Sequence, residues 1–299
     1  MKKFFVICLL IWVSVLCAAQ TRYALLIGIG QYPESSGWAR IHGDNDIPLL
    51  KEKLLQSDFE EKNIKTLVNS EATYDAIVTE LGNLAFKGKT GDIIYIHFSG
   101  HGQQVTDLNG DEEDGYDEAW VPYDAGKRYE VGVYEGDKHL IDDYLNNLFA
   151  KIRKSIGKSG RLIIVADACH SGSGSRGYED DNDNIVYYRG TGDKLELPKE
   201  TIKNSYSPVL VNWLFISACK DYQINFEYKD AAGNYYGALS YVISKDLEDL
   251  TASKYEAAIV RWKDSVKQNI KENIKGKIRM PLQEIEYEGK PSTINDKLF

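Results

Sequence analysis

Cysteine is scarce in this chain: there are four in 299 residues, and two of them, Cys8 and Cys17, fall within the first nineteen. Cys169 and Cys219 remain, so one disulfide is possible and a disulfide scaffold is excluded. Positive charge is also in short supply. Against 36 Lys and Arg stand 45 Asp and Glu, a net charge of −9. That balance excludes nucleic acid and anionic membrane as partners and suits cationic substrates or bound metal ions. Long apolar runs are missing too, apart from Phe4 to Val13, which follows Lys2 and Lys3 and precedes Cys17-Ala18-Ala19. This is the pattern of a secretory signal peptide over residues 1–19, and its apolar part is short for a stable membrane span. Cleavage before Gln20 is expected. An uncleaved anchor and a lipid on Cys17 stay open, the second disfavoured by Val15 and Leu16 where small residues belong. Removal takes two lysines and no acids, so −9 becomes −11. The expected product is exported, periplasmic or extracellular, and free of the membrane once the signal is removed. Internal repeats and a second domain are both lacking, and residues 20–299 suffice for one α/β domain with a well-buried core.

The chain does contain apolar strands alternating with amphipathic helices. Tyr23 to Gly30, Ile64 to Val68, Ile93 to Ser99, Leu162 to Asp167 and Trp213 to Cys219 read as buried strands. Between them fall helices begun near Asp44-Asn45-Asp46, Thr73 and Asp142-Asp143, then two more over about 237–249 and 254–274, and a last strand near Met280 to Tyr287. This alternation predicts an α/β, three-layer fold with a mostly parallel central sheet of about six strands and helices on both faces. Residues 173–208 are rich in Gly, Ser, Asp and Asn and lose apolar periodicity. They read as a surface excursion or a processing linker.

Two strands end in chemistry. Ile93 to Phe98 leads into Ser99-Gly100-His101-Gly102, and Leu162 to Ala166 into Asp167-Ala168-Cys169-His170-Ser171-Gly172. Reactive groups of open α/β sheets gather past the C-terminal ends of their strands. A thiol beside an imidazole is what a cysteine hydrolase needs, with His101 as base and Cys169 as nucleophile. The backbone N–H groups of Gly102 and Cys169 are candidates for the oxyanion hole. His97, within its apolar strand, and Cys219 read as core residues. His170 adjoins Cys169 on an extended backbone, points the other way, and is a poor base for it. Asp167 lies two residues before Cys169 and so shares its side of the strand. A buried carboxylate there needs a cation, which a substrate Arg or Lys would supply.

His-Phe-Ser-Gly-His-Gly (97–102), Asp-Ala-Cys-His-Ser-Gly (167–172) and Ile-Ser-Ala-Cys-Lys-Asp-Tyr-Gln (216–223) with Gly237-Ala238-Leu239 resemble the motifs of the caspase-fold cysteine peptidases, and among them the metacaspases. The resemblance runs from Tyr23 to about Glu286. It implies a caspase-like domain and endopeptidase activity with Cys169 as nucleophile and His101 as base. Caspases resemble the 167–169 segment but have a neutral glutamine at the Asp167 position and cleave after Asp. The comparison also suggests Asp46 as a second acid of the specificity pocket, with Ser99 beside it; the alternative for Asp46 is a helix cap. No cofactor is required for the chemistry. Calcium is an activator in many metacaspases, and by resemblance Asp117, Asp142 and Asp143 would hold it. The acidic loop from Asp107 to Glu118 offers oxygen ligands but lacks the glycine of an EF-hand at its sixth position, so a solvated acidic surface is the other reading. Gly174-Ser175-Arg176 stands where metacaspases tend to carry a further acid.

The leading expectation is therefore an exported monomeric endopeptidase acting on proteins or peptides with Arg or Lys before the cut. Arg176, Arg189, Lys194 and Lys199 in 173–208 make self-cleavage there an expectation as well. A catalytically silent caspase-like protein that binds a partner or a metal is the alternative of another class, and a thiol hydrolase of non-peptide substrates is a third.

Overall fold

The strand residues alternate between two apolar surfaces, and that alternation dictates the layers. A computed structural model of the chain describes residues 20–169, 178–179, 185–198, 212–220, 223–250, 255–274 and 283–289. The expected signal peptide, His170, Gly172, Arg176 and Lys199 lie outside them. In chain order the elements are β1 (Arg22–Gly28), α1 (Gly43–Gln56), β2 (Ile64–Val68), α2 (Tyr74–Lys87), β3 (Ile93–Ser99), β4 (Gly102–Thr106), β5 (Tyr116–Trp120), β6 (Leu140–Ile141), α3 (Asp142–Ser155) and β7 (Arg161–Asp167). There follow β8 (Tyr178–Glu179), β9 (Ile185–Val186), β10 (Leu214–Ser217), β11 (Glu227–Lys229), β12 (Tyr235–Gly237), α4 (Ala238–Leu250), α5 (Tyr255–Ile274) and β13 (Glu286–Glu288).

Six strands form the central sheet in the order β13-β10-β7-β3-β1-β2, parallel throughout except for β13. Leu26, Tyr95, Ile163, Val165 and Ile216 pack on one face against Leu50 of α1, Leu239 and Ile243 of α4 and Trp262 of α5. Their neighbours in sequence, among them Leu25, Ile96 and Ile164, face Leu81 of α2 and Leu148 and Phe149 of α3. Both faces of the sheet are covered, which is why its strands read as unbroken apolar runs. Among the described residues no helix is long and apolar enough to cross a membrane.

Besides the β8–β9 pair, two small antiparallel sheets are not evident from periodicity. β4, β5 and β6 make a small antiparallel sheet, and β11 pairs with β12. Both are short and polar and follow other elements almost without a turn signal. Among the described residues the final strand begins at Glu286, and the expected start near Met280 lies outside them. The expected bland roles of two residues agree with what surrounds them. His97 lies fully buried between the Tyr95 hydroxyl and Ser240 Oγ, each 2.9 Å away. Cys219 is buried, and no disulfide joins it to Cys169.

Candidate active site

β3 and β7 are neighbours at the centre of the sheet, and their register pairs Ser99 with Asp167. Two residues beyond each lies the group that its sequence motif singles out, His101 after β3 and Cys169 after β7. Parallel pairing thus brings the imidazole and the thiol to one end of the sheet.

His101 is buried, stacked on Trp38 at 4.9 Å and tilted against Tyr32 at 5.2 Å. Its Nε2 lies 2.9 Å from the Ala39 carbonyl, which can only accept, so Nε2 carries the proton and Nδ1 is left as an acceptor. Burial lowers the pKa of His101 to about 4, outweighing the Ala39 carbonyl and the Glu227 charge, so the ring is neutral at pH 7. Nδ1 accepts a hydrogen bond of 3.0 Å from the backbone N–H of Gly190. Cys169 is also buried, and its Sγ donates to the Gln223 carbonyl at 2.9 Å. Gly190 passes so close to Cys169 that a Cβ there would overlap the Cys169 carbonyl, and its φ of 128° lies in the region that favours glycine. The oxyanion candidate Gly102 sits at the start of β4. Val121 N donates to the His101 carbonyl, which makes Gly102 and Trp120 a non-hydrogen-bonded pair and leaves the Gly102 N–H outside the β4–β5 ladder.

From the stretch expected to be a surface excursion or a processing linker, Arg189 enters the site, where it is 0% exposed. Its Nη1 lies 2.9 Å from Asp46 and 3.6 Å from Asp167, and also donates to Ser99 Oγ. Its Nη2 and Nε both lie 3.1 Å from Glu227 Oε1. The three residues expected to form the specificity pocket, Asp167, Asp46 and Ser99, therefore meet around one guanidinium. Asp46 is not a helix cap: it sits within α1, accepts from Ser99 Oγ, and takes the Gly237 N–H at 3.0 Å. Asp167 accepts from Asn225 at 2.8 Å and from the N–H and hydroxyl of Ser240, both at 2.7 Å. Gly237 and Ser240 flank the start of α4, whose positive end favours the two acids. A Cβ on Gly237 would strike both Asp167 and Arg189, so this wall of the pocket requires glycine.

Burial alone would raise the pKa of Asp167, but Arg189 and the donors from Asn225 and Ser240 hold it below the ordinary carboxylate range. Glu227 is lowered in the same way, by Arg189 and His42 against burial. Asp46 has fewer donors; burial raises it to about 6 despite Arg189. Arg189 itself is raised, because three acids outweigh its own burial.

Main-chain bonds hold Arg189 in register. Its N–H donates to the Asn225 carbonyl at 2.9 Å, Glu227 N donates to the Tyr187 carbonyl at 3.0 Å, and Tyr188 bridges antiparallel to Phe226. Residues 187–189 thus lie beside 225–227 as an added strand, the way an extended peptide is bound. After Gly190 the chain continues along β4, with Leu195 bonded to Gln104 and Thr106.

The acidic loop forms a separate cluster. Asp107, Asp111 and Asp117 bring oxygens within 4.8 Å of one another. Asp117 is raised to about 8 by burial, then by Asp142 and Asp107, and Asp142 to about 7 by burial and Glu118. Asp142 Oδ1 is buried and has no hydrogen-bond partner among the described residues. Asp143 accepts from Asn109 at the rim. An all-oxygen set with an orphaned buried carboxylate oxygen fits a hard divalent cation. The oxygens that converge are those of Asp107, Asp111 and the expected Asp117, while the expected Asp142 and Asp143 stand beside them.

Sequence reasoning missed Glu227 and the Ala39 carbonyl. Glu227 follows Asn225-Phe226 in a buried stretch, and an acid beside an aromatic residue is the available signal. The Ala39 carbonyl, a backbone group, leaves none.

A caspase domain profile matches residues 21–288. Metacaspase-1 of Eremothecium gossypii is 31% identical over 160 residues, covering 51% of this chain and 32% of that protein. Metacaspase-1 of Plasmodium falciparum is 27% identical over 262 residues, covering 82% of this chain and 38% of that protein. A crystal structure of a Geobacter sulfurreducens protein, 24% identical, shares the fold with a TM-score of 0.60, covering 91% of this chain and 94% of that one. The chain spans about a third of the length of the curated relatives it matches.

Proposed function

We propose, from the premise that this chain belongs to the caspase domain family, that it is a cysteine endopeptidase cleaving after arginine or lysine, and that its first substrate is its own Arg189–Gly190 bond. One observation carries this reading: the Arg189 side chain fills the acid pocket while the Gly190 N–H, the leaving nitrogen of that bond, donates to His101 Nδ1 at 3.0 Å. The Cys169 thiol turns from the Gln223 carbonyl to His101 Nδ1 in place of the Gly190 N–H, and neutral His101 takes its proton there as Sγ attacks the Arg189 carbonyl carbon. The oxyanion that forms is met by the N–H groups of Gly102 and Cys169. The C–N bond then breaks, sulfur keeps the acyl group as a thioester, and the imidazolium passes its proton to the Gly190 amine. Water, deprotonated by His101, attacks the thioester, frees the Arg189 carboxylate and restores the thiol. No cofactor enters these steps. Once cut, the strap can leave the pocket to arginine or lysine of another protein; lysine satisfies the charge but not the forked geometry.

Calcium belongs to the proposal as an activator, held by Asp107, Asp111 and Asp117 with Asp142 and Asp143 beside them. It would supply the positive charge that this cluster lacks. Export also belongs to it and rests on the first nineteen residues alone; a secreted product beginning at Gln20 would support it.

Intact-mass analysis of the full chain and of Cys169→Ala tests the central reading. The expected result is two fragments divided after Arg189 in the first and one uncut mass in the second. Fragments in both would assign the cut to a foreign protease, and cleavage at another bond would remove Arg189 as the self-substrate.

A further inference from the structure

The strap fixes more than the residue before the cut. Counting back from the scissile bond, Arg189 is first, Tyr188 second and Tyr187 third. The Glu227 N–H to Tyr187 carbonyl bond sets that register. Alternation along the strap sends the Tyr187 and Tyr188 side chains to opposite faces. Tyr188 packs against the core layer that contains Phe226. Tyr187 instead meets two other rings, His42 at 4.6 Å and 84° and Tyr235 at 4.8 Å and 77°. These two stack on each other at 5.0 Å and 20°. Edge-on contact with two stacked rings is a favourable arrangement for an aromatic side chain and is unavailable to an aliphatic one.

The walls do not depend on the strap for their position. His42 precedes α1, its N–H donates to Glu227 Oε1 at 2.8 Å, and its Nδ1 lies 2.6 Å from Glu227 Oε2. Tyr235 lies in β12, opposite Lys229 of β11, and its carbonyl accepts from Asn45 at 3.0 Å. Glu227 is thus common to both sites, with Oε1 against Arg189 and Oε2 against His42. A peptide using the same Asn225 carbonyl and Glu227 N–H would bring its third residue to the same place.

We propose that His42 and Tyr235 form an aromatic subsite, so that the favoured substrates are peptides with an aromatic residue two positions ahead of the arginine before the cut. This rests on the reading of the site as an arginine-directed peptidase, and the test separates the two. The self-processed full chain is given blocked peptide amides Tyr-Ala-Arg, Leu-Ala-Arg, Ala-Ala-Arg and Tyr-Ala-Asp. The Tyr peptide is expected to exceed the Ala peptide by about tenfold in kcat/KM, with the Leu peptide close to Ala and the Asp peptide uncut. In Tyr235→Ala the Tyr-to-Ala ratio collapses to about one, and Tyr235→Phe retains it. Equal rates for the three Arg peptides would overturn the aromatic subsite and leave the arginine reading standing. Failure to cut any Arg peptide, or preference for the Asp peptide, would overturn both. Should Tyr235→Ala not fold, the wild-type panel alone decides.

Discussion

Asp167 and Asp117 are both buried carboxylates among other acids, yet their protons are held in opposite directions. Asp167 sits below the ordinary range, while Asp117 is pushed up to about 8. Burial pushes both the same way, so the difference comes from what stands opposite. The pocket at the end of β7 has a guanidinium from its own chain, three donors on Asp167 and the start of α4. Asp142, at the start of α3 beside the acidic loop, has an oxygen with no partner among the described residues. The acids around Arg189 meet a cation supplied by the chain itself; the acids around Asp117 are where the proposed cation would bind.

The strongest way to break this comparison is to remove the best-anchored acid. Asp167→Asn keeps the shape and the Ser240 contacts but takes away the charge. Truncating one member of a buried hydrogen-bonded charge pair costs about 2–5 kcal/mol, so kcat/KM for Arg peptides should fall by about 10² to 10³. Self-cleavage after Arg189 should slow with it, as mass spectrometry over time would record. An undiminished rate would show that the pocket recognises arginine without this carboxylate.

Arg189→Ala removes the cation instead and makes the first cluster resemble the second. In the Cys169→Ala background, where no cut occurs, three buried acids then face one another alone. Breaking such a cluster costs about 3 kcal/mol, a drop in Tm of about 10 °C for a domain of this size. Arg189→Lys should recover part of it, since the charge returns without the fork. An unchanged Tm in Arg189→Ala would mean that water or relaxation satisfies the acids as well as the guanidinium does.

The two clusters also differ in how far the sequence makes them legible. Period-2 alternation is enough to put Asp167 on the Cys169 side of β7, and two apolar runs ending in His101 and Cys169 locate the end of the sheet where the site lies. Asp46 and Ser99 come from family resemblance, since nothing in helical spacing shows which side chains of a first turn face inward. Arg189 is visible only as one base among five in a polar stretch. Its burial depends on main-chain bonds to Asn225 and Glu227, which belong to pairing between distant segments and leave no mark in either one. The acidic loop is legible in composition, but its grouping is not. Asp107 and Asp111 join Asp117 because the chain turns on the Asp107 carboxylate, which takes the N–H groups of Asn109, Gly110 and Glu112.

The smallest expected effect sharpens the contrast through pH. Asp117 at about 8 and Asp142 at about 7 bind protons more tightly in the folded chain than in the unfolded one. Their contribution to stability is therefore full below about pH 4 and is lost as pH rises through 7 and 8. Asp167 and Glu227, both lowered, act in the reverse sense: their contribution is present above about pH 4.5 and is lost on acidification. In metal-free Cys169→Ala protein these two acids should lower Tm by a few degrees, about 1 kcal/mol, between pH 5 and pH 8, once the opposite slope from the lowered His97, His101 and His139 is subtracted. Asp117→Asn should flatten that slope, and Asp167→Asn should not. Added Ca²⁺ should raise Tm at pH 8 more than at pH 5, because protons compete with the ion for the same oxygens. A slope that survives Asp117→Asn, or a Ca²⁺ effect equal at both pH values, would place the cation need outside this loop and dissolve the contrast with the arginine-filled pocket.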